Sequence, residues 1–175
     1  MGPDAPVPGR FVAIDFETAD YRPDSACALA VVVVDGVEVV AQKYVLIRPP
    51  RPHIVFSYLH KITWPHVADQ PTFGEHWPNL VPLFDGAEFV AAHNAPFDRG
   101  VLAACCRASG HPMPDWQFRC TVSLARKTWG FRPASLPHVC RGLGIPLNHH
   151  HAESDALACA QIVIAARRRS LRPSV

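Results

Sequence analysis

Four carboxylates occupy positions that invite chemistry. Asp15 and Glu17 stand two apart in FVAIDFET (11–18), a run otherwise almost wholly apolar; Asp98 follows AHNAPF; Asp155 lies in HHHAESDALACA. Side chains two apart on a strand point the same way. Two like charges about 4 Å apart repel by about 4 kcal/mol at an effective dielectric near 20. Singly, each acid has a structural explanation: Asp98 and Asp155 suit helix N-termini, and Asp15 and Glu17 suit ligands for a turn. Together, four acids ending elements of one sheet make an all-oxygen site for hard divalent cations, Mg²⁺ or Mn²⁺. A pair of such ions clamps the attacking and leaving oxygens of a phosphoryl displacement, and their charge offsets the repulsion. Such a site needs a base, and a histidine is the natural group. By spacing alone His151, one helical turn ahead of Asp155, is favoured.

The elements that must position these groups are legible in outline. Residues 10–16 read as an inner strand, apolar on both faces. ALAVVVV (28–34) and VEVVAQKYVLI (37–47) flank Asp35-Gly36, a two-residue hairpin signal. IVFSYLH suits a short helix. Thr72 and Glu75 form a capping box for a helix over 72–86, which Pro78 and Pro82 interrupt. EFVAAH (88–93) reads as another inner strand, and 96–110 as a helix closed by Gly110. A strand near FRCTV, helices near SLARKTW and SLPHVCRGL, and a helix from about 152 to 169 follow. Strands joined by hairpins, then helix alternating with strand, describe one α/β layered domain with a mixed sheet.

Composition narrows the class. The 175 residues, 49% hydrophobic, suit one domain with a full core. No apolar run approaches the ~18 residues of a membrane span. MGPDAPVPG lacks a signal peptide's basic start and apolar stretch and lacks a myristoylation signal; residues 1–9 are expected to be a flexible leader and 169–175 a basic tail around a domain at 10–168. Six cysteines without a secretion signal point to free thiols in a reducing, cytoplasmic compartment. NHHH (148–151) hints at zinc, but no cysteine pair accompanies it. Net charge is only +2, yet residues 99–143 hold seven Lys/Arg against the single Asp115, a distribution suited to a phosphate-binding groove or to a solvated surface.

DFET (15–18), HNAPFD (93–98) and HHAESD (150–155) resemble the three motifs of the DEDDh 3′–5′ exonucleases, the DnaQ-like group that includes the epsilon proofreading subunit of DNA polymerase III. The resemblance covers nearly all of residues 10–168. It implies an RNase H-like fold, a mixed five-stranded sheet flanked by helices. It also implies two-metal (Mg²⁺ or Mn²⁺) hydrolysis at nucleic-acid 3′ ends, releasing nucleoside 5′-monophosphates. Carried over, Asp15 bridges both metals, Glu17 and Asp155 ligate the nucleophile-side ion, and Asp98 holds the other. His150 becomes the general base, with His151 ranked second and His149 a solvated neighbour. Thr18 and the adjoining Phe16 backbone meet the terminal nucleotide. Asn94 orders the loop around Asp98, and Phe97 belongs to the core.

One departure concerns the segment after the hairpin. Relatives commonly have His-Gly-Ile-Thr where this chain has His60-Lys61-Ile62-Thr63, so His60 and Lys61 are expected near the substrate by an altered path. The chain ends soon after its last helix, without the extension by which some proofreading subunits join a polymerase; a polymerase partner remains an expectation of the resemblance. DNA is the expected substrate. An exoribonuclease with the same five residues is the alternative, and a non-catalytic nucleic-acid-binding module the second.

Overall fold

The computed structural model describes residues 9–171. Apart from Gly9, the expected leader lies outside them, as does the basic tail from residue 172. Five strands form one sheet: β1 (Phe11–Thr18), β2 (Ala26–Asp35), β3 (Glu38–Leu46), β4 (Val90–Ala92) and β5 (Phe118–Cys120). Their order is β3-β2-β1-β4-β5, with β1, β2 and β3 antiparallel and β4 and β5 parallel to β1. The central place of β1 follows from its sequence, since Phe11 to Ile14 are all buried.

The hairpin loop falls one residue later than its sequence signal. Asp35 pairs with Glu38, so the loop is Gly36-Val37, with Gly36 at φ 59°. Positive φ at the first loop position suits glycine and the primed turns that match strand twist. The inner strand β4 and the edge strand β5 are three residues each, because helices begin almost at once after them.

Among the described residues, seven helices flank the sheet. The first two are single turns, α1 (Ser57–His60) and α2 (Trp64–Val67). The second was not evident in the sequence, although Thr63 caps it and Pro65 occupies its first turn. In α3 (Phe73–Leu80), Thr72 and Glu75 form the expected reciprocal box. Pro82 falls in a 3₁₀ turn over Val81–Phe84, which tightens the end of α3. Then come α4 (Ala95–Ala108), α5 (Thr121–Trp129), α6 (Leu136–Leu143) and α7 (Ala152–Ser170).

Strand alternation sends the apolar residues into two layers. Val12, Ile14 and Phe16 join Phe73, Trp77 and Leu102 beneath α3 and α4. Phe11 and Ala13, with Ala30 and Val32, meet Ala156, Ala160 and Val163 of α7. The alanines recur at helical steps of four, so α7 lies close along the sheet. That close approach brings its first turn to the end of β1.

Candidate active site

The alternation that turns Phe11 and Ala13 toward α7 puts Asp15 and Glu17 on the same face, where β1 leaves the sheet. Between Glu17 and Thr18 the pairing slips from Ala28 to Ala26, a bulge of the kind that re-aims side chains beside functional sites. Asp155 arrives from the first turn of α7. Asp98 arrives from α4, in the other layer. β1 pairs with β4 only at Val12 and Ala13; farther along, Asp98 Oδ1 accepts the Phe16 N–H at 3.0 Å. Asp98 and Asp155 are only 2% and 5% exposed.

The charges of these acids are felt within the quartet. Burial, then Asp98, Asp155 and Glu17, pushes Asp15 well above the usual carboxylate range. Burial and Asp155 raise Glu17 to about 7. Burial raises Asp98 to about 7, against the Phe16 N–H that favours its anion. Burial also raises Asp155, while His149 pulls it down. Among the described residues, none of the four pairs with Lys or Arg. Asp155 Oδ1 is buried without a partner. Converging carboxyls, an orphaned buried oxygen and no basic counter-charge fit a hard divalent cation.

Two clefts meet at the quartet. One, of 310 Å³, is lined by Asp15, Glu17, Thr18, His60, Phe97 and His150 among others. The other, of 670 Å³, shares Asp15, His149 and Asp155 and adds Asn94, Ser123 and Arg126. Arg126 is the basic-segment cation that faces this second cleft.

Several side chains are employed differently from expectation. His149 is not simply solvated: its Nδ1 lies 2.9 Å from Asp155 Oδ2. The same oxygen accepts the His150 N–H at 3.1 Å. Burial and His149 lower the pKa of His150, with Asp155 acting the other way, which favours its neutral ring. His151 caps α7 and stacks on Tyr44 at 5.9 Å. Phe97, expected in the core, is 47% exposed and forms a wall of the first cleft. Asn94 orders its loop through a left-handed backbone, φ 73°, and its side chain makes no cap bond.

His60 borders the cleft but uses both ring nitrogens on backbone: Nε2 donates to the Thr18 carbonyl at 3.1 Å and Nδ1 accepts the Ile62 N–H at 3.1 Å. It braces Thr18, which is buried; Phe16 offers only its backbone there, its ring being in the core. Lys61 is exposed, with φ 62°, and its ammonium donates to the Tyr58 carbonyl at 2.7 Å. A left-handed backbone of this kind suits glycine better than a residue with a Cβ. A brace that spacing did not reveal is His93, bonded to Thr121 Oγ1 at 2.9 Å and the Ala134 carbonyl at 3.1 Å. Burial, only partly offset by the Ala134 bond, lowers its pKa to about 4.

Just beyond β1 a second pair of acids is arranged otherwise. Arg51 Nε donates to Asp20 Oδ2 at 2.7 Å, and its Nη2 donates to Asp24 Oδ1. These bonds hold both carboxyls below their ordinary range.

Comparison with known proteins places this geometry. A family model described as exonuclease matches residues 12–163. Exodeoxyribonuclease 10 of Escherichia coli (strain K12) is 32% identical over 158 residues, which cover 86% of this chain and 66% of the relative. The chain thus spans just under two thirds of that protein's length. The PolC-type DNA polymerase III of Thermotoga maritima is 29% identical over 160 residues, 88% of this chain but 12% of the polymerase. Among solved structures, exonuclease X in complex with 5′-overhanging duplex DNA superposes with a TM-score of 0.73 at 28% identity, covering 93% of this chain and 94% of the other. The nuclease domain of 3′hExo, a DEDDh family member bound to rAMP, gives 0.75 at 18% identity, over 95% and 94%. The sheet and its flanking helices are therefore the RNase H-like fold.

Proposed function

The chain belongs to the exonuclease family, and on that premise we propose that it is a metal-dependent 3′–5′ exonuclease acting on single-stranded or frayed DNA and releasing nucleoside 5′-monophosphates. The observation that carries this reading is the meeting of Asp15, Glu17, Asp98 and Asp155 around the end of β1, with Asp155 Oδ1 buried and unpartnered and, among the described residues, no lysine or arginine paired with any of the four. Asp15, Glu17, Asp98 and Asp155 would hold two Mg²⁺ or Mn²⁺ ions, which when bound supply Lewis acidity toward the phosphodiester.

The chain's own residues do the rest. Thr18, on its bulge and braced by His60, forms the wall against which the terminal nucleotide rests. Phe97 offers an exposed ring for a base, which needs no particular sequence to stack. The imidazole of His150, its neutral form favoured by burial, takes a proton from the attacking water. Arg126, in the adjoining cleft, neutralises backbone phosphate. Lys61, directed at its own helix, contributes through that turn rather than through a phosphate.

DNA is favoured because the relatives include an exodeoxyribonuclease at 32% identity and a nuclease solved on duplex DNA at 28%. RNA, by the same five residues, is the second reading; a 3′-exonuclease that recognises a histone mRNA stem-loop shares the fold at 16% identity. The PolC-type relative suggests a polymerase as partner. Six free cysteines suit a reducing cytoplasm, and among the described residues no helix is long and apolar enough to cross a membrane. Matched DNA and RNA oligonucleotides, labelled at either end and digested with Mg²⁺ or Mn²⁺, test the reading. A 5′ label should yield a shortening ladder and a 3′ label immediate mononucleotide. Cleavage of RNA alone would overturn the DNA preference, and no cleavage with either metal would favour a binding module.

A further inference from the structure

The histidine cluster before α7 is only partly absorbed by this chemistry. Oxygen-only ligation gives His149 no task, yet the chain builds it into place. Its Nδ1 meets Asp155 Oδ2 at 2.9 Å, and its ring stacks on His150 with centroids 3.8 Å apart. The loop is folded back by three local features: His150 at φ 65°, the His150 N–H on Asp155 Oδ2, and the Asn148 N–H on Ser154 Oγ at 2.7 Å. A left-handed conformation is unfavourable for a residue with a Cβ, and here it turns two imidazoles toward one carboxylate.

We propose that His149, His150 and Asp155 form a metal site of their own, selective for a nitrogen-seeking divalent ion of the Zn²⁺ type and overlapping the carboxylate quartet only at Asp155. One ligand atom from each residue lies within 4.8 Å of the others, a spread that a single ion can span after small rotations. Asp155 is 5% exposed, and it is its Oδ2 that faces both histidines, 2.9 Å from His149 Nδ1 and accepting the His150 N–H at 3.1 Å. Two imidazole nitrogens and one carboxylate oxygen match zinc, cobalt and nickel, whereas Mg²⁺ prefers oxygen throughout. Three protein ligands leave a fourth, tetrahedral position for water.

The site stands without the nuclease reading; its consequence rests on it. An ion here engages the lone pair with which His150 would accept a proton, and it holds Asp155 away from the quartet. Zinc-type ions thereby switch the enzyme off while millimolar Mg²⁺ is present.

The test is binding to the full chain without substrate. Zn²⁺ titrated calorimetrically into metal-free protein in millimolar Mg²⁺ should bind at one equivalent. Co²⁺ should give the visible absorption of a nitrogen-ligated ion of low coordination number. His149→Ala and His149→Asn should each weaken Zn²⁺ binding by at least about tenfold, the loss caused by removing even a supporting partner of a metal ligand. Mg²⁺ binding, read as the rise in melting temperature, should hold in both variants. Zn²⁺ affinity equal to wild type in both variants overturns the site, and so does displacement of Zn²⁺ by Mg²⁺. A parallel fall in Mg²⁺ affinity would overturn it too, making His149 a residue that orients Asp155. None of these readouts requires nuclease activity.

Discussion

Two sets of acids follow one another along the chain and meet opposite fates. Asp15 and Glu17, joined by Asp98 and Asp155, are held above their ordinary pKa range by burial, to which neighbouring carboxylates add for all but Asp155. Asp20 and Asp24 are held below theirs by Arg51. The second set is completed within the chain, and its geometry is fixed by a guanidinium. The first is left open. A carboxylate cluster thus acquires its meaning from what surrounds it: Arg51 makes a brace of one pair, whereas the quartet has no lysine or arginine paired with it among the described residues.

The comparison breaks most directly at Asp15. Asp15→Asn should lower nuclease turnover by about a hundredfold or more, the scale of losing one charge-stabilising group. In metal-free protein the same variant should melt higher, by about 2–4 °C for each kcal/mol of repulsion relieved. Full activity in Asp15→Asn would remove the quartet from the mechanism; a lower melting temperature would mean that Asp15 is structural.

Acidity separates the two sets next. Glu17 and Asp98 rise to about 7 in the folded state from 4.5 and 3.8, so between those values the native chain binds more protons than the unfolded one. Their contribution is complete near pH 4 and is lost as pH rises through 7. Metal-free protein should therefore lose stability from pH 5 to 8, and millimolar Mg²⁺ should restore it most at the alkaline end. Asp20 and Asp24 act in the reverse sense: their contribution is present above their ordinary pKa and fades only in stronger acid. Melting curves across pH with and without Mg²⁺ check both, and a profile unaffected by metal would contradict the proposed ligand set.

Arg51→Ala sharpens the contrast in sign. It should destabilise by about 1 kcal/mol, since the pairs are partly solvated, where Asp15→Asn stabilises; denaturant titration would show the difference. The smallest effect is expected at Lys61. Lys61→Gly relieves a left-handed residue at some loss of unfolded-state restraint and should stabilise by about 0.5 kcal/mol. Destabilisation instead would show that the Lys61 bond to Tyr58 matters more than the backbone.

What was legible in the sequence was whatever rests on local periodicity. The apolar run around Asp15, the capping box at Thr72 and the small residues after Asp155 each announce an element and its buried face. The roles of His60, His93 and His149 were not legible, because each is set by a partner distant in sequence or by a loop conformation: Thr18, Ala134 and the left-handed turn at His150. Phe97 looked like core because it follows an inner strand, yet the helix that starts at Ala95 turns it outward. The single-turn helix at Trp64 is too short for any period to register.

The alanine stripe of α7 makes the two layers behave like the jaws of pliers. Asp155 sits at the tip, and Ala156 and Ala160, wedged against Ala13 and its neighbours, form the pivot. Adding bulk at the pivot, by Ala160→Val for instance, would open the tip by leverage, because close-packed interiors transmit displacement rather than absorb it. The spacing between Asp155 and the end of β1 is therefore dimensioned by methyl groups that never touch a carboxylate.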